Sequence, residues 1–388
     1  MKTIAVIFGG VSTEHDVSII TALTSVITPL KLAGGFEVEP VYISKDGRWF
    51  WDQRLADVKL YQSGEIEEFM RRAPKVHLSF DGGLTLVKSS QFAGRKAYKK
   101  IDVVFPALHG THGEDGELMG LLEMANVPYV GCSMPASAVA MDKVLAKQIA
   151  SSNLIPTPKY TYLFRDTYIQ KTSDCLKNIE NELNYPMFVK PAHLGSSIGV
   201  TRATTRDELQ NAIEVATYYD DKVIIEEEVQ NLIEVTLPIV GNEEIKVACL
   251  ERPLKSTAEF FDFDTKYMRG GKKGGKTGSG RDSQGYSELP AKLPKKLYDK
   301  AENLGKQVYR VLECSGIARV DMLIDEKTNE VYFNEVNPLP GSLYAHNWRE
   351  AGVSNTQLVE DLVYLAEQRF KKKSRSVTTF DTNFLKQF

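Results

Sequence analysis

An α/β chain of two or three domains is what this sequence predicts, on three observations. It runs to 388 residues, beyond the ~100–200 residues that one hydrophobic core usually organises. Its opening, TIAVIFGGVSTEHDVSIITALTSVI, is a β-branched run that stops at Gly9-Gly10 and passes into helical spacing near Val17. That is the strand–turn–helix start of an α/β unit. Strand-like and helix-like stretches then follow one another to the C-terminus.

Taken in order, a second strand, FEVEPVYIS, and a third, IDVVFPALHG, complete the first unit, and the third leads into THGEDGELMGLLEMANV, whose second half has helical spacing. Between them, residues 52–100 are mixed and polar, and a helix and a hairpin are expected there. After VPYVGCS comes one helix, PASAVAMDKVLAKQIASS, ended by the Pro-containing segment NLIPTPKY, which reads as a boundary. A smaller unit holds the strand YPMFVKPA, the loop HLGSSIGV and the strand KVIIEEEV. A third begins at IEVTLPIVG and carries the helix KKLYDKAENLGKQVYRVL, the strand pair ARVDMLID and EVYFNEVN, and a closing helix around TQLVEDLVYLAEQRF. In that last helix Leu358, Leu362 and Leu365, with Val359 and Val363, make a core-facing stripe. Residues 266–293, rich in Gly, Ser and Lys, are expected to be mobile until something binds them, because they bury too little apolar surface to offset their ordering entropy.

Composition narrows the class. With 42% hydrophobic and 26% charged residues and a net charge of −3, the chain reads as a soluble enzyme and not a nucleic-acid binder. No apolar run approaches the ~20 residues of a membrane span, and MKTIAVIFGG reads as a buried strand and not a signal peptide. A cytoplasmic location is therefore expected, with neither a membrane nor a nucleic-acid partner, and KKKSRS, residues 371–376, as a solvated end. Cys132, Cys175, Cys249 and Cys314 form no CxxC pair and read as reduced thiols.

The chemistry concentrates in the last strand pair. Asp321, Glu335 and Asn337 would lie on neighbouring strands, the latter two facing the same way because strand side chains alternate with period two. Hard oxygens gathered at a strand end suit magnesium, which binds through one or two carboxylates plus substrate phosphates. Arg319, two before Asp321, shares its face and could meet a phosphoryl group bidentately. Alone, these would read as surface charges at two strand ends. They are accompanied by Lys190, at the end of an apolar strand, and by a Gly-Ser-Ser loop at 195–197 that could wrap phosphate oxygens but lacks the Walker order and would as readily be a tight turn. Lys143 at a helix start could supply a second cation, and Glu226–Glu228 could satisfy adenine and ribose donors, although a solvated lysine and a solvated edge are the ordinary meanings.

Together these segments identify a resemblance. FGGVSTEHDVS, ALHGTHGEDGELMGLLE, PYVGCSMPASAVAMDK, FVKPAHLGSSIGV, IEEEVQNLIEVT, FFDFDTKY, ARVDMLI and NEVNPLPGS, in this order and spacing, resemble the ATP-grasp ligases and specifically the D-alanine:D-alanine ligases of peptidoglycan synthesis. The resemblance implies an ATP-grasp fold with an N-terminal Rossmann-like domain (1–139), a small central αβ domain (140–233) and a C-terminal αβ domain (234–388) whose mobile lid spans 266–290. It implies ATP and two magnesium ions, with manganese able to replace them, D-amino acids as the other small-molecule substrates, and a homodimer.

By the same resemblance Lys143, Lys190 and Lys266 contact phosphates, Ser196 lies in the phosphate loop, Glu226, Glu227 and Val229 line the adenine edge, and Glu234 holds the ribose. Asp321, Glu335 and Asn337 match the metal ligands; Arg319 and the Gly341 amide match the groups that stabilise the tetrahedral oxyanion. Glu14 matches the glutamate for the first substrate's ammonium, His109 a histidine beside it, and Ser196 and Tyr267 the hydrogen-bonded chain that closes the lid. Tyrosine at 267 favours an amine acceptor over a hydroxy acid. The implied reaction phosphorylates one D-alanine on its carboxylate and displaces phosphate with the amine of a second.

Two stretches depart from the pattern. RGGKKGGKTGSGR makes the lid longer than usual, and order there without ligand is not expected. NPLPGSLYAHNW is shorter after Gly341, so Ser342, Tyr344 and His346 are each candidates for the acceptor carboxylate. A ligase with a different acceptor (D-serine, D-lactate or another amine) and a non-catalytic ATP- or D-amino-acid-binding protein are the alternatives.

Overall fold

The computed structural model describes residues 1–89, 96–254 and 287–388. Its first sheet is built around β1 (Lys2–Gly9), which pairs in parallel with β2 (Phe36–Ile43); β3 (Trp49–Trp51) returns antiparallel on the far side of β2. A meander of β4 (Val76–Ser79), β5 (Leu84–Ser89) and β6 (Lys96–Ile101) follows, before β7 (Val103–Pro106) joins the other side of β1 in parallel. Because the chain leaves β1 for β2 on one side and β7 pairs on the other, a crevice opens at the carboxyl ends of β1 and β7, where ligands of parallel sheets bind. β1 ends in a glycine because nothing else fits: Gly9 has φ +91°, and a Cβ there would lie 2.2 Å from the Ile43 carbonyl oxygen.

The helix His15–Ala33, π-helical over Thr21–Ile27, follows that turn. By length and composition it could cross a membrane. Instead Leu23, Val26, Ile27 and Leu30 share a core with Ile4, Val6 and Phe8 of β1 and with Leu358, Val359, Leu362 and Val363 of the closing helix Asn355–Lys373.

The second sheet takes β8 (Tyr160–Phe164), β9 (Met187–Pro191), β10 (Thr201–Ala203) and β11 (Lys222–Glu227) in the order β10-β9-β11-β8. Helices Thr172–Glu182 and Arg206–Tyr219 share a core with Val189, Val223 and Ile225 of one face; the alternate residues, Lys190 and Glu226 among them, point the other way. The third sheet contains β12 (Leu232–Gly241) and β13 (Ile245–Val247), and is flanked by the short ribbon of β14 (Arg252–Pro253) and β15 (Ser287–Glu288). It is completed by β16 (Gly316–Asp325) and β17 (Glu330–Asn337), in the order β13-β12-β16-β17. The amphipathic helix Lys295–Val311 covers the face made by Leu237, Val320, Met322 and Phe333.

Two expectations change. The single helix through residues 134–152 is two helices, Met134–Met141 and Lys143–Ser152. Asp142 breaks them by taking an extended conformation and accepting hydrogen bonds from the amides of Val144 (2.9 Å) and Leu145 (3.1 Å), the usual competition of a short acid with the helix it caps. Residues 52–100 hold two short helices, Val58–Gln62 and Ile66–Arg72, and three strands instead of a hairpin. β4 is only four residues long, too short for its alternation to show. Residues 90–95 and 255–286 lie outside the described residues, so the expectations for Lys266, Tyr267 and most of the lid fall there.

Gly241 closes β12 at φ +144°, where a Cβ would lie 2.1 Å from the Glu244 carbonyl oxygen. Gly241→Ala is expected to cost about 1–3 kcal/mol, seen as a lower melting temperature.

Candidate functional site

Register sets the floor of the site. Glu335 on β17 pairs with Asp321 on β16, Asp321 with Thr236 on β12, and Thr236 bridges to Glu251 beside β14. Directly opposed residues of antiparallel strands point to one face, so these four polar side chains form one row across three strands and the bridged Glu251. One rung along, Asn337 pairs with Arg319 on the same face. A register shift lies between Asp321 and Met322: Asp321 faces Glu335 while Met322 faces Phe333, which leaves Asn334 as the extra residue of a bulge. A bulge re-aims a side chain, and Asn334 Oδ1 accepts from Lys190 Nζ at 3.3 Å.

Each member of the row is met by a group from elsewhere. Arg319 donates to both oxygens of Asp321, at 2.6 and 2.5 Å, and Asn337 Nδ2 donates to Asp321 Oδ2 at 3.1 Å. Lys143 Nζ lies 3.5 Å from Glu335 Oε2. Thr236 Oγ1 donates to the Tyr344 hydroxyl at 3.3 Å, and His346 Nε2 lies 2.9 Å from Glu251 Oε2. The Arg319 guanidinium also sits 5.0 Å from the centre of the Tyr344 ring, a cation–π distance. The three oxygen-bearing residues expected to bind metal are thus adjacent and paired with the chain's own donors; their hard-oxygen set suits a divalent cation replacing those donors.

Above this floor the Gly-Ser-Ser loop is tied down from two sides. Lys143, the first residue of its helix and largely buried, donates from Nζ to the Leu194 carbonyl at 2.6 Å and from its amide to the Ala192 carbonyl at 3.1 Å. His193 is clamped between Asp220, 3.0 Å from Nδ1, and Asp142, 3.3 Å from Nε2; Asp142 in turn accepts from Lys222 Nζ at 2.7 Å. The hydrogen bonds to Asp142 and Asp220, against the opposing effect of burial, raise the His193 pKa to about 9.

The N-terminal crevice meets this loop directly. Glu14 accepts a short hydrogen bond from the Ser196 hydroxyl. Burial, then the charge of Glu114, raise the Glu14 pKa, opposed by the Ser196 hydrogen bond. Two glycines make room for the carboxylate: a Cβ on Gly110 would lie 2.9 Å from Glu14 Oε2, and one on Gly195 would lie 3.3 Å from it. Glu114 accepts from the Gly110 amide at 2.7 Å and fixes the loop that bears His109. His109 Nε2 is 2.8 Å from Thr21 Oγ1, and that oxygen accepts from the Ser342 amide at 2.9 Å. The shortened turn after Gly341 therefore docks on the first crevice, with Ser342, Leu343 and Tyr344 all left-handed at φ +51°, +53° and +52°.

The three consecutive acids are spread apart. Glu226 points inward, forming a short ion pair with Lys190 and one of 2.8 Å with Lys147. Burial opposes its ionisation, but the two ammoniums outweigh that and hold its pKa at about 2. Glu227 accepts from Asn184 N and Nδ2 at 2.8 and 3.0 Å, and Glu228 pairs with Arg202 at 2.7 Å. Val229 follows the end of β11, and Glu234, on β12, acts electrostatically on Lys190. Sequence reasoning passed over Lys147, Thr21, Thr236, Glu251 and His193. Of these, Lys147 carried a signal, four residues after Lys143 on one helix face.

Comparison with known proteins agrees along the chain. A family model described as D-ala D-ala ligase N-terminus matches residues 3–132, and one described as D-ala D-ala ligase C-terminus matches residues 149–364. The D-alanine--D-alanine ligase of Acetivibrio thermocellus is 38% identical over 387 residues, covering 95% of this chain and 96% of that protein. That of Caldicellulosiruptor bescii is 35% identical, with 95% and 96% covered. Among solved structures, the VanG D-Ala:D-Ser ligase from Enterococcus faecalis has a TM-score of 0.77 at 30% identity, covering 94% of this chain and 99% of that one. The D-alanine-D-alanine ligase from Coxiella burnetii has a TM-score of 0.78 at 24% identity, covering 96% of each chain, and shows the same fold.

Because the folded-state pKa of His193, about 9, lies above its ordinary value of 6.5, its imidazolium contributes fully below about pH 6.5 and loses that contribution as pH rises through about 9. Wild type is expected to melt above His193→Asn at about pH 6, with the gap closing by about pH 10, as followed by thermal unfolding.

Proposed function

The chain belongs to the D-alanine–D-alanine ligase family of ATP-dependent ligases, and on that premise we propose that it joins two D-alanines through an acyl phosphate. The observation that carries the reading is the contact of Glu14 with Ser196. It sets a carboxylate suited to an amino acid's ammonium beside a loop suited to phosphate, above the row that begins at Glu335 and Asp321. A carboxylate is a poor acyl donor until it is phosphorylated, and holding its ammonium at Glu14 turns the carboxylate toward the nucleotide. One carboxylate oxygen attacks the γ-phosphorus of ATP, and ADP leaves. The amine of the second amino acid then attacks the acyl carbon, forming the C–N bond of a tetrahedral intermediate, and loses a proton; the intermediate collapses by breaking the bond to phosphate, which departs.

In this reading Lys143 and Lys190, with Lys266 of the lid, neutralise the nucleotide's phosphates. Arg319, with the Gly341 amide, meets the oxyanion of the tetrahedral intermediate, a role that needs donors already oriented. The Tyr344 ring and Asp321 hold the Arg319 guanidinium plane. Glu226, the residues after it and Glu234 form the purine and ribose side, with Glu227 contributing through its main chain because its carboxylate is occupied by Asn184. Asp321, Glu335 and Asn337 would hold magnesium, which supplies charge neutralisation at the transferred phosphoryl group. Tyr267 would close the lid over Ser196 and exclude water from the acyl phosphate.

The division at 1–139, 140–233 and 234–388 is supported by the sheets, the first two falling within one span each and the third within the last span apart from Leu232 and Ile233, the first two residues of β12. A cytoplasmic homodimer supplying dipeptide to peptidoglycan synthesis is the setting the reading implies. A D-serine acceptor is the second reading, favoured by the likeness to a D-Ala:D-Ser ligase structure and by the turn at Ser342–Tyr344.

With ATP, magnesium and D-alanine, phosphate release matched by D-alanyl-D-alanine in the mass spectrum is expected. ATP binding without turnover on D-alanine would overturn the proposal, and product formed only with D-serine would select the second reading. Arg319→Met should lower kcat about 10²–10³-fold while leaving ATP affinity near wild type.

A further inference from the structure

Lys147 is 1% exposed and ion-paired with Glu226, and nothing in the reaction as described uses it. Its ammonium lies 2.8 Å from Glu226 Oε1, donates to the Phe333 carbonyl at 3.3 Å and sits 5.6 Å from the centre of the Phe333 ring. Lys190 reaches the other oxygen of the same carboxylate, but its side chain is 14% exposed, and it also donates to the bulged Asn334 and feels the charges of Glu335 and Glu234. One buried carboxylate is thus shared by two cations that differ in freedom. Lys147 is enclosed by its own helix, β11 and β17, whereas Lys190 stands on the open face of β9.

We propose that Lys147 is a positioning residue for nucleotide binding: it neutralises Glu226 permanently, and so frees Lys190 to leave that carboxylate for the phosphates of ATP. The inference rests on the assignment of Lys190 to phosphate made above. Moving Lys190 away from an otherwise unpaired Glu226 would leave a buried carboxylate without a counter-ion, and breaking a buried pair on one side is strongly unfavourable. With Lys147 fixed on the other oxygen, the carboxylate keeps a partner in both states, and only the mobile cation changes anions. A lysine that merely riveted the helix Lys143–Ser152 to β17 would affect melting but not the exchange. Its removal would not be corrected by removing the charge on Glu226.

The test is calorimetric titration of the full-length protein with ATP and magnesium, with a melting curve for each variant. Lys190→Met comes first: unchanged ATP affinity there would overturn the assignment of Lys190 to phosphate, separately from the present inference. Given a loss in Lys190→Met, Lys147→Met should weaken ATP binding at least about tenfold, because Lys190 then stays locked on Glu226. Lys147→Arg should bind within about threefold of wild type, since a guanidinium keeps the charge. The double variant Lys147→Met with Glu226→Gln, which carries no unpaired buried charge, should bind ATP within about threefold of Glu226→Gln alone, a comparison from which any contact of Glu226 with the purine cancels. Wild-type affinity in Lys147→Met, or a loss on adding Lys147→Met to Glu226→Gln as large as that in the wild-type background, would overturn the proposal. Should Lys147→Met fail to fold, the double variant and Lys147→Arg decide it by the same criteria.

Discussion

Charge balance in a half-buried cleft is the constraint on which the rest of this structure depends. The cleft concentrates lysines, an arginine and carboxylates in a small, poorly solvated space, and each would be costly there alone. The solution is mutual pairing: Arg319 on Asp321, Lys143 beside Glu335, Lys190 and Lys147 on Glu226, Lys222 and His193 on Asp142. Two of these pairs, Arg319–Asp321 and Lys190–Glu226, lie within one sheet each, while Lys143 and Lys147 tie the helix Lys143–Ser152 to the third and second sheets.

Local geometry follows from the need to aim these groups. Parallel register at β1 and β7 opens the crevice for Glu14, antiparallel register lines up Glu335, Asp321, Thr236 and Glu251, and one extra residue at Asn334 offers a side chain to Lys190. Helix breaks serve the same end. Asp142 ends one helix, caps the next and places Lys143 at its first position, against the carbonyls of Ala192 and Leu194.

Much of this was legible in the sequence wherever periodicity or spacing carried it. The i, i+2 relation of Glu335 and Asn337 required a shared face, the run ending at Gly9-Gly10 required a strand and a tight turn, and the stripe from Leu358 to Leu362 required a buried helix face. The order of the motifs also pointed to the family that the comparisons show. What escaped depended on contacts distant in sequence. Thr21 and Ser342 are 321 residues apart, and Lys147 meets Phe333 across 186. The break at Asp142 was hidden because the residues around it all favour helix, and a single capping acid decides the matter only once its side chain is placed. The role of three successive acids was equally unreadable, since neighbouring strand residues face opposite sides and each found a different cation or amide.

The turn at Ser342–Tyr344 has a consequence for how such a protein could change its preferences. Three successive residues with side chains occupy the left-handed region, a conformation each disfavours alone. It is kept by the Thr21 hydroxyl at one end and by Thr236 and Arg319 at the other. Relaxing any one residue would release the others, so the segment behaves as a single inherited block. Diversification of this segment would then proceed by exchange or resizing of the entire turn, in jumps, and a route of stepwise point substitutions through it would pass through molecules whose Arg319 had lost its seat.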